Sequence, residues 1–168
     1  MLIGRTDRLV LEPLSHRHAV GLVAALGHPE VHRYLGAPDV TTVEALHARI
    51  DRVGRAPPGE VWINFAIRRV DDSAIVGRLE ATSYGDWAEI AYLVGPAYQR
   101  RGYAVEATRW LIAQLAAAGV REVWAAVHPD NAASGAVLAR CGFARRAATL
   151  RALGSYDAGD SLFVRVTR

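Results

Sequence analysis

The spacing of apolar positions changes along the chain, and each change of period predicts an element. The opening run Leu9-Val10-Leu11 stops at Pro13, which cannot donate to a sheet ladder, so residues 6–13 read as a first strand. From Ser15 onward Ala19, Leu22, Val23 and Leu26 recur at helical spacing, predicting a helix to Leu26 with Ser15 as its cap. His28-Pro29-Glu30 breaks that pattern. A second helix is predicted over 42–55, capped by Thr42 or Thr41, with Leu46 and Ile50 facing inward; Ala56-Pro57-Pro58-Gly59 ends it.

The period then falls to two. Ile63, Phe65 and Ile67 share one face of a strand over 61–68. Asp71-Asp72 and Tyr84-Gly85-Asp86 are turn signals, and they set off two further strands over 74–83 and 88–94. Helical spacing returns over 103–118, where Ala107, Leu111 and Leu115 form a buried stripe and Gly119 stands where a C-terminal cap belongs. Val123-Trp124-Ala125-Ala126-Val127 is a short apolar strand, so the strand–helix–strand unit from 90 to 127 should be a right-handed parallel crossover. Asn131 caps a last predicted helix that ends at Gly142; two strands over 143–151 and 161–167 follow, joined by a turn with Gly154, Tyr156 and Gly159. Hairpins followed by one helical crossover imply an α/β (α+β) fold, a mixed and mostly antiparallel central sheet of about six to seven strands with flanking helices. No linker, repeat or low-complexity tract interrupts the pattern, so residues 1–168 read as one domain.

Composition narrows the chemistry. All 20 basic residues are arginine, which excludes a Walker lysine, a Schiff-base lysine and a kinase-type ATP lysine. The net charge of +3 suits a polyanionic ligand but is too mild to argue for nucleic acid. A single cysteine, Cys141, rules out an internal disulfide and fits a reducing compartment. Arg5, Asp7 and Arg8 interrupt any early apolar run, and no stretch is long and apolar enough to span a membrane, so a soluble cytosolic protein is expected.

The chain is organised around residues 88–104, AEIAYLVGPAYQRRGYA. A strand stops at Gly95-Pro96, a tight basic turn follows, and a helix begins. The first amides of a helix lack partners within it and carry the positive end of its dipole, so this junction suits an anion. Gly102 lets a phosphate approach the backbone, and Arg100 and Arg101 add permanent charge.

This turn, Gln99-x-x-Gly102-x-Ala104, resembles the acetyl-coenzyme A pyrophosphate loop of the GNAT N-acetyltransferase superfamily. Asn131-x-x-Ser134 followed by Gly142-Phe143 matches a second segment of that superfamily, and Thr6-x-Arg8-Leu9-x-Leu11-x-Pro13 resembles the opening of its RimJ/RimL-like branch. The resemblance implies the GNAT fold with a splayed parallel strand pair, and acetyl-CoA as co-substrate without a metal. It implies that Gln99, Arg100, Arg101, Gly102, Tyr103 and Ala104 hold the pyrophosphate, that Asn131 contacts the cofactor, and that the pantetheine pairs with the backbone near Leu93 and Val94. The implied activity is acetyl transfer to a primary amine, a protein N-terminus or a small molecule, by direct attack in a ternary complex. No nucleic-acid or membrane partner is implied, and the protein is expected to be a monomer or homodimer.

Acetyl transfer needs a polarised thioester carbonyl, loss of a proton from the amine, and protonation of the departing thiolate. Many superfamily members carry a tyrosine acid seven residues after the asparagine, where this chain has Leu138, which cannot donate. Ser134 is the nearest substitute; it is equally readable as a polar residue in the first turn of a helix. Glu89 is the candidate base, and Glu80 on the hairpin partner is another carboxylate near the cleft. One residue of register decides which face each points to. His28 and His32 flank Glu30 without a nearby third ligand, and Cys141 sits in an apolar setting where cysteine is ordinarily core. Tyr34, Trp62, Tyr84 and Trp87 are aromatics near predicted cleft elements, either lining an acceptor pocket or packing. Two function classes follow: an amine N-acetyltransferase, and a non-catalytic acyl-CoA-binding module that the missing tyrosine would suit.

Overall fold

The computed structural model describes residues 3–35, 41–53, 55–149 and 151–167; Gly54 and Leu150, which fall in elements predicted above, lie outside them. In chain order the elements are β1 (Gly4–Arg5), β2 (Leu9–Pro13), α1 (Ala19–Leu26), α2 (Pro29–His32), α3 (Val43–Val53), β3 (Val61–Arg69), β4 (Ile75–Ser83), β5 (Trp87–Val94), α4 (Tyr103–Ala117), β6 (Glu122–Val127), α5 (Ala132–Arg140), β7 (Ala144–Arg146) and β8 (Ser161–Val166). The strands form one eight-stranded sheet in the order β1-β2-β3-β4-β5-β6-β8-β7, antiparallel throughout except for the β5–β6 pair.

Where boundaries differ from the sequence pattern, local hydrogen bonding explains why. The first helix is preceded by a 3-10 turn, His16–His18, in which the Ser15 amide donates to His18 Nδ1 at 3.1 Å. His28-Pro29-Glu30 does end α1, but it also starts the one-turn α2: proline at N1 needs no donor, and His28 Nδ1 accepts from the Glu30 amide at 3.2 Å. Thr42 caps α3, its Oγ1 accepting from the Ala45 amide at 3.2 Å. The strand predicted over 143–151 shortens to three exposed residues at the sheet edge, paired only with β8. The sheet gains a strand from the two-residue β1, too short to carry any period.

The register divides the sheet into two faces. Ile63, Ala81 and Ile90 lie side by side across β3, β4 and β5, as do Phe65, Leu79 and Tyr92. This face packs on α4 and α5, and the main core holds Leu9, Leu11, Phe65, Ile67, Leu79, Leu111, Val123 and Leu138. On the opposite face the row Trp62, Thr82, Glu89, Trp124, Val164 crosses five strands. Its partners are α1 and α3 through Ala66, Leu22, Leu26 and Leu46, and a small cluster of Trp87, Trp124, Leu153 and Leu162. The second face is also the polar one, because Glu12, Asn64, Arg78 and Glu89 are buried on it.

Candidate active site

The parallel pair is where the sheet opens. β5 and β6 are in register at Trp87↔Glu122, Ala88↔Val123 and Glu89↔Trp124, and there the pairing stops although β5 runs on to Val94. Backbone groups of successive strand residues face opposite edges. Trp87 accepts from the Tyr84 amide and the Gly95 amide donates to Val76, each at 2.9 Å, so odd-numbered residues of β5 turn to β4. Asp86 accepts from the Arg121 amide on the other edge at 2.6 Å. Ile90, Tyr92 and Val94 therefore present their backbone groups to the gap. Leu93, one of the two residues expected near the pantetheine, is paired with Arg78 of β4, and Tyr92 stands beside Val94 on the gap edge.

The basic turn follows directly. Gln99 does not reach outward: its Nε2 donates to the Val94 carbonyl at 3.0 Å and closes the end of β5. Arg100 and Gly102 hold positive φ of 60° and 82°, the left-handed backbone whose successive amides form anion-binding concavities. Gly102 is the N-cap of α4, so Tyr103 and Ala104 supply first-turn amides. The Tyr103 ring itself is buried, with the Arg8 guanidinium 5.0 Å from its centroid.

A groove of about 740 Å³ beside this turn is lined by Arg8, Arg100, Arg101, Arg109 and Arg140 against Asp7 and Glu106. Glu106, in the first turn of α4, organises part of it. Its carboxylate accepts from Thr6 Oγ1 at 2.6 Å, the Arg8 amide at 3.0 Å and Arg8 Nε at 2.7 Å, while Arg8 Nη1 donates to the Arg101 carbonyl at 2.9 Å. Burial raises the Glu106 pKa, but those hydrogen bonds outweigh it and hold the carboxyl below its usual range. The Thr6-x-Arg8 opening thus acts as a clamp on the turn. Its partners lie too far along the sequence for local pattern to reveal.

Asn131 and Ser134 lie across the gap. Asn131 Oδ1 accepts from the Ser134 amide at 3.1 Å, the cap predicted for α5, which leaves the Asn131 NH2 to donate elsewhere. Leu138 is fully buried in the core. At Ser134 there is a phenol after all: Tyr92 Oη lies 2.9 Å from Ser134 Oγ and donates to the Ser134 carbonyl at 3.0 Å. Burial, the largest influence, pushes the Tyr92 pKa well up. By sequence pattern alone Tyr92 is only one residue of an apolar strand.

Glu89 and Glu80 share the opposite face. Glu89 is buried, and its carboxylate accepts from the Gly154 amide at 2.7 Å, the Ser155 amide at 2.8 Å and Ser155 Oγ. Glu80 accepts from Arg49 Nη2 at 2.8 and 2.9 Å and lies 3.2 Å from Arg78 Nε. Tyr84 stacks on Trp87 with centroids 4.1 Å apart, Trp62 Nε1 donates to Glu60 at 2.6 Å, and Tyr34 meets His128 at 5.2 Å. Cys141 is core, its thiol pKa pushed up by burial. His32 Nε2 contacts the Leu26 carbonyl at 2.9 Å, and among the described residues no group of three His, Cys, Asp or Glu is placed to hold a metal. No described helix is long and apolar enough to cross a membrane.

Comparison with known proteins agrees with this geometry. The acetyltransferase (GNAT) domain family matches residues 8–144. The Bacillus subtilis (strain 168) N-acetyltransferase YoaA, itself uncharacterized, is 28% identical over 145 residues, covering 84% of this chain and 82% of that protein. In fold the chain is similar to RimL, a ribosomal L7/L12 alpha-N-protein acetyltransferase solved with coenzyme A, at a TM-score of 0.78 and 20% identity over 98% of each chain. Mycobacterium smegmatis RimJ, solved with a CoA-disulfide, gives a TM-score of 0.79 and 21% identity over 98% of this chain and 86% of that one. The fold is shared with RimL and RimJ, and the chain belongs to the GNAT acetyltransferase family as an acetyl-CoA-dependent acetyltransferase.

Proposed function

We propose that the chain moves the acetyl group of acetyl-CoA to a primary amine, a protein N-terminus or a small molecule, by direct attack in a ternary complex. The observation that carries this reading is the unpaired edge of β5 beyond Glu89, which ends at the positive-φ turn leading into α4. The pantetheine takes the place of the missing strand partner along Tyr92 and Val94, and a backbone N–H there polarises the thioester carbonyl. The pyrophosphate lies on the amides of residues 102–104, with Arg100 and Arg101 beside it. Asn131 holds the pantetheine arm through its free NH2.

The two faces of the sheet then divide the chemistry. Glu89, opposite the α4–α5 face, takes the proton of the incoming amine directly or through water. Its three hydrogen bonds use three of about four lone-pair directions of a carboxylate and leave one for the proton. Ser134, on the other side, donates to the thiolate. Trp62, Tyr84 and Trp87 lie near Glu89 and wall the acceptor side. The buried, unpaired Cys141 suits a reducing, cytosolic setting.

The test is acetyl-CoA binding by calorimetry, followed by thiol release with a panel of amines and N-terminal peptides. Binding with amine-dependent release is the expected result; tight binding without release to any amine would leave an acyl-CoA-binding module. Ser134→Ala should lower kcat about tenfold to a hundredfold with KM for acetyl-CoA little changed, because a hydrogen bond to a charged group is worth about 1.5–3 kcal/mol and this one forms only as the thiolate develops. Turnover at the wild-type rate would reduce Ser134 to a helix residue.

A further inference from the structure

Ser134 and Tyr92 share three oxygens and two protons. The Ser134 carbonyl only accepts, and it lies 3.0 Å from Tyr92 Oη; Ser134 Oγ, 2.9 Å away, can donate or accept. Two proton arrangements fit these same positions. In one, the phenol donates to the carbonyl and the serine hydroxyl donates to the phenol oxygen, so the serine proton points away from the gap. In the other, the phenol donates to Ser134 Oγ and the serine proton is free to point at a third atom. The two differ in both hydroxyl protons, and the Tyr92 proton decides whether Ser134 Oγ acts as its acceptor.

We propose that Tyr92 is the positioning residue for Ser134: by turning its proton from the Ser134 carbonyl to Ser134 Oγ, it releases the serine proton toward the departing sulfur. The inference rests on the role proposed above for Ser134. Negative charge growing on sulfur favours the second arrangement, because each donor in a chain strengthens the next. Tyr92 is suited to this duty by its place. Its side chain lies on the α4–α5 face and its backbone borders the gap, so the strand that holds the thioester also aims the serine. Burial raises its pKa, so the phenol stays a neutral donor through the working range. The reaction balances without any ionisation of Tyr92. The amine nitrogen forms its bond to the carbonyl carbon, the carbon–sulfur bond breaks, and its electron pair goes to sulfur. The thiolate is stabilised by the Ser134 hydrogen bond and takes its proton from water, matching the one the nitrogen loses.

Coenzyme A itself reads this out without an acceptor. With protein in excess over CoA, the pH dependence of CoA alkylation by iodoacetamide, followed by the mass of the CoA adduct, gives the pKa of the bound thiol. Hydrogen bonds to a thiolate lower that pKa; Tyr92 reaches the sulfur only through Ser134, so Tyr92→Phe should raise it by a measurable fraction of the roughly 0.5–1 unit that one direct hydrogen bond is worth. Ser134→Ala should raise it at least as far, and the double variant no further than Ser134→Ala alone. CoA affinity should stay within about threefold, and turnover should show a lower kcat at unchanged KM, a split that loosened packing would not give. As a measurement that keeps a hydroxyl at position 92, 3-fluorotyrosine in place of all six tyrosines makes the phenol a stronger donor and should lower the bound-thiol pKa in wild type but not in Ser134→Ala. This arm decides the matter if Tyr92→Phe fails to fold. An unchanged thiol pKa in Tyr92→Phe, or a fluorotyrosine shift that persists in Ser134→Ala, overturns the inference while the functional reading stands. A wild-type protein that does not bind CoA overturns both.

Discussion

At Glu12 the chain buries a carboxylate and surrounds it with basic side chains. Arg68 donates to it through Nε at 2.8 Å and Nη2 at 2.7 Å, Arg17 Nη2 donates at 3.2 Å, and His18 Nε2 lies 3.3 Å away. The Arg68 hydrogen bond, more than burial opposes, holds the Glu12 carboxyl below its ordinary value of 4.5, and burial holds the His18 imidazole below 6.5. Both shifts are downward, so in each case the unfolded chain binds a proton that the folded one refuses. Stability should therefore be full above about pH 6.5, fall first as His18 in the unfolded chain protonates, and fall again below about pH 4.5 through Glu12. Thermal melts across pH check this: His18→Gln should flatten the upper step and Glu12→Gln the lower one. At neutral pH Glu12→Gln should cost about 2–3 kcal/mol, less than for a fully buried pair because Arg68 reaches solvent. None of this was legible in the sequence, since Arg68 lies 56 residues from Glu12. Tyr92 escaped notice for the opposite reason: it sits in an apolar run, and a phenol counts as apolar until its hydroxyl has a partner.

Elements were far more legible than single contacts, because hydrophobic period is local and pairing partners are not. The helices and long strands appear close to where alternation and helical spacing put them, and Gly119 and Gly142 take the positive φ that ends a helix. The break in β5–β6 pairing has no period of its own; it came from resemblance, and the Glu89↔Trp124 limit came only from the structure. The clamp on α4 belongs to the same scale. Glu106 lines the same groove as Arg100 and Arg101, and it holds Arg8, which holds the Arg101 carbonyl. Glu106→Gln should therefore weaken acetyl-CoA binding several-fold in calorimetry without changing the thiol pKa of bound CoA. Arg100→Ala with Arg101→Ala should weaken it more, with a loss that shrinks as salt is added, since exposed charges are screened beyond about 10 Å at 0.1 M. Equal affinity of wild type and the double variant at low salt would leave the helix amides as the whole site.

Across the whole molecule the sheet separates two chemistries that meet only at the gap. Ser134, Tyr92 and the α4 turn lie with the main core, whereas Glu89, its 154–155 loop and the Trp62–Trp87 aromatics lie on the other face. The sequence could not assign Glu89 to a face, because a one-residue slip of β5 would reverse it; the Thr82↔Glu89↔Trp124 row decides. The separation predicts which variants combine independently. Glu89→Gln should lower kcat by about a hundredfold to ten-thousandfold, the usual contribution of a positioned base, and leave acetyl-CoA affinity unchanged. Combined with Arg100→Ala and Arg101→Ala, its effect on kcat/KM should add within about 0.5 kcal/mol, as for distant sites without shared partners. Glu89 also anchors the loop, so Ser155→Ala is the control: it removes the hydroxyl contact from the loop side, leaves the two backbone amides in place and keeps the carboxylate. If Glu89 serves catalysis, Ser155→Ala should raise the acceptor KM and spare most of kcat, and the Glu89→Gln rate should recover only in part at high pH, where more of the amine is already neutral. Equal losses of kcat in the two variants would make Glu89 a loop anchor and leave deprotonation of the amine to solvent.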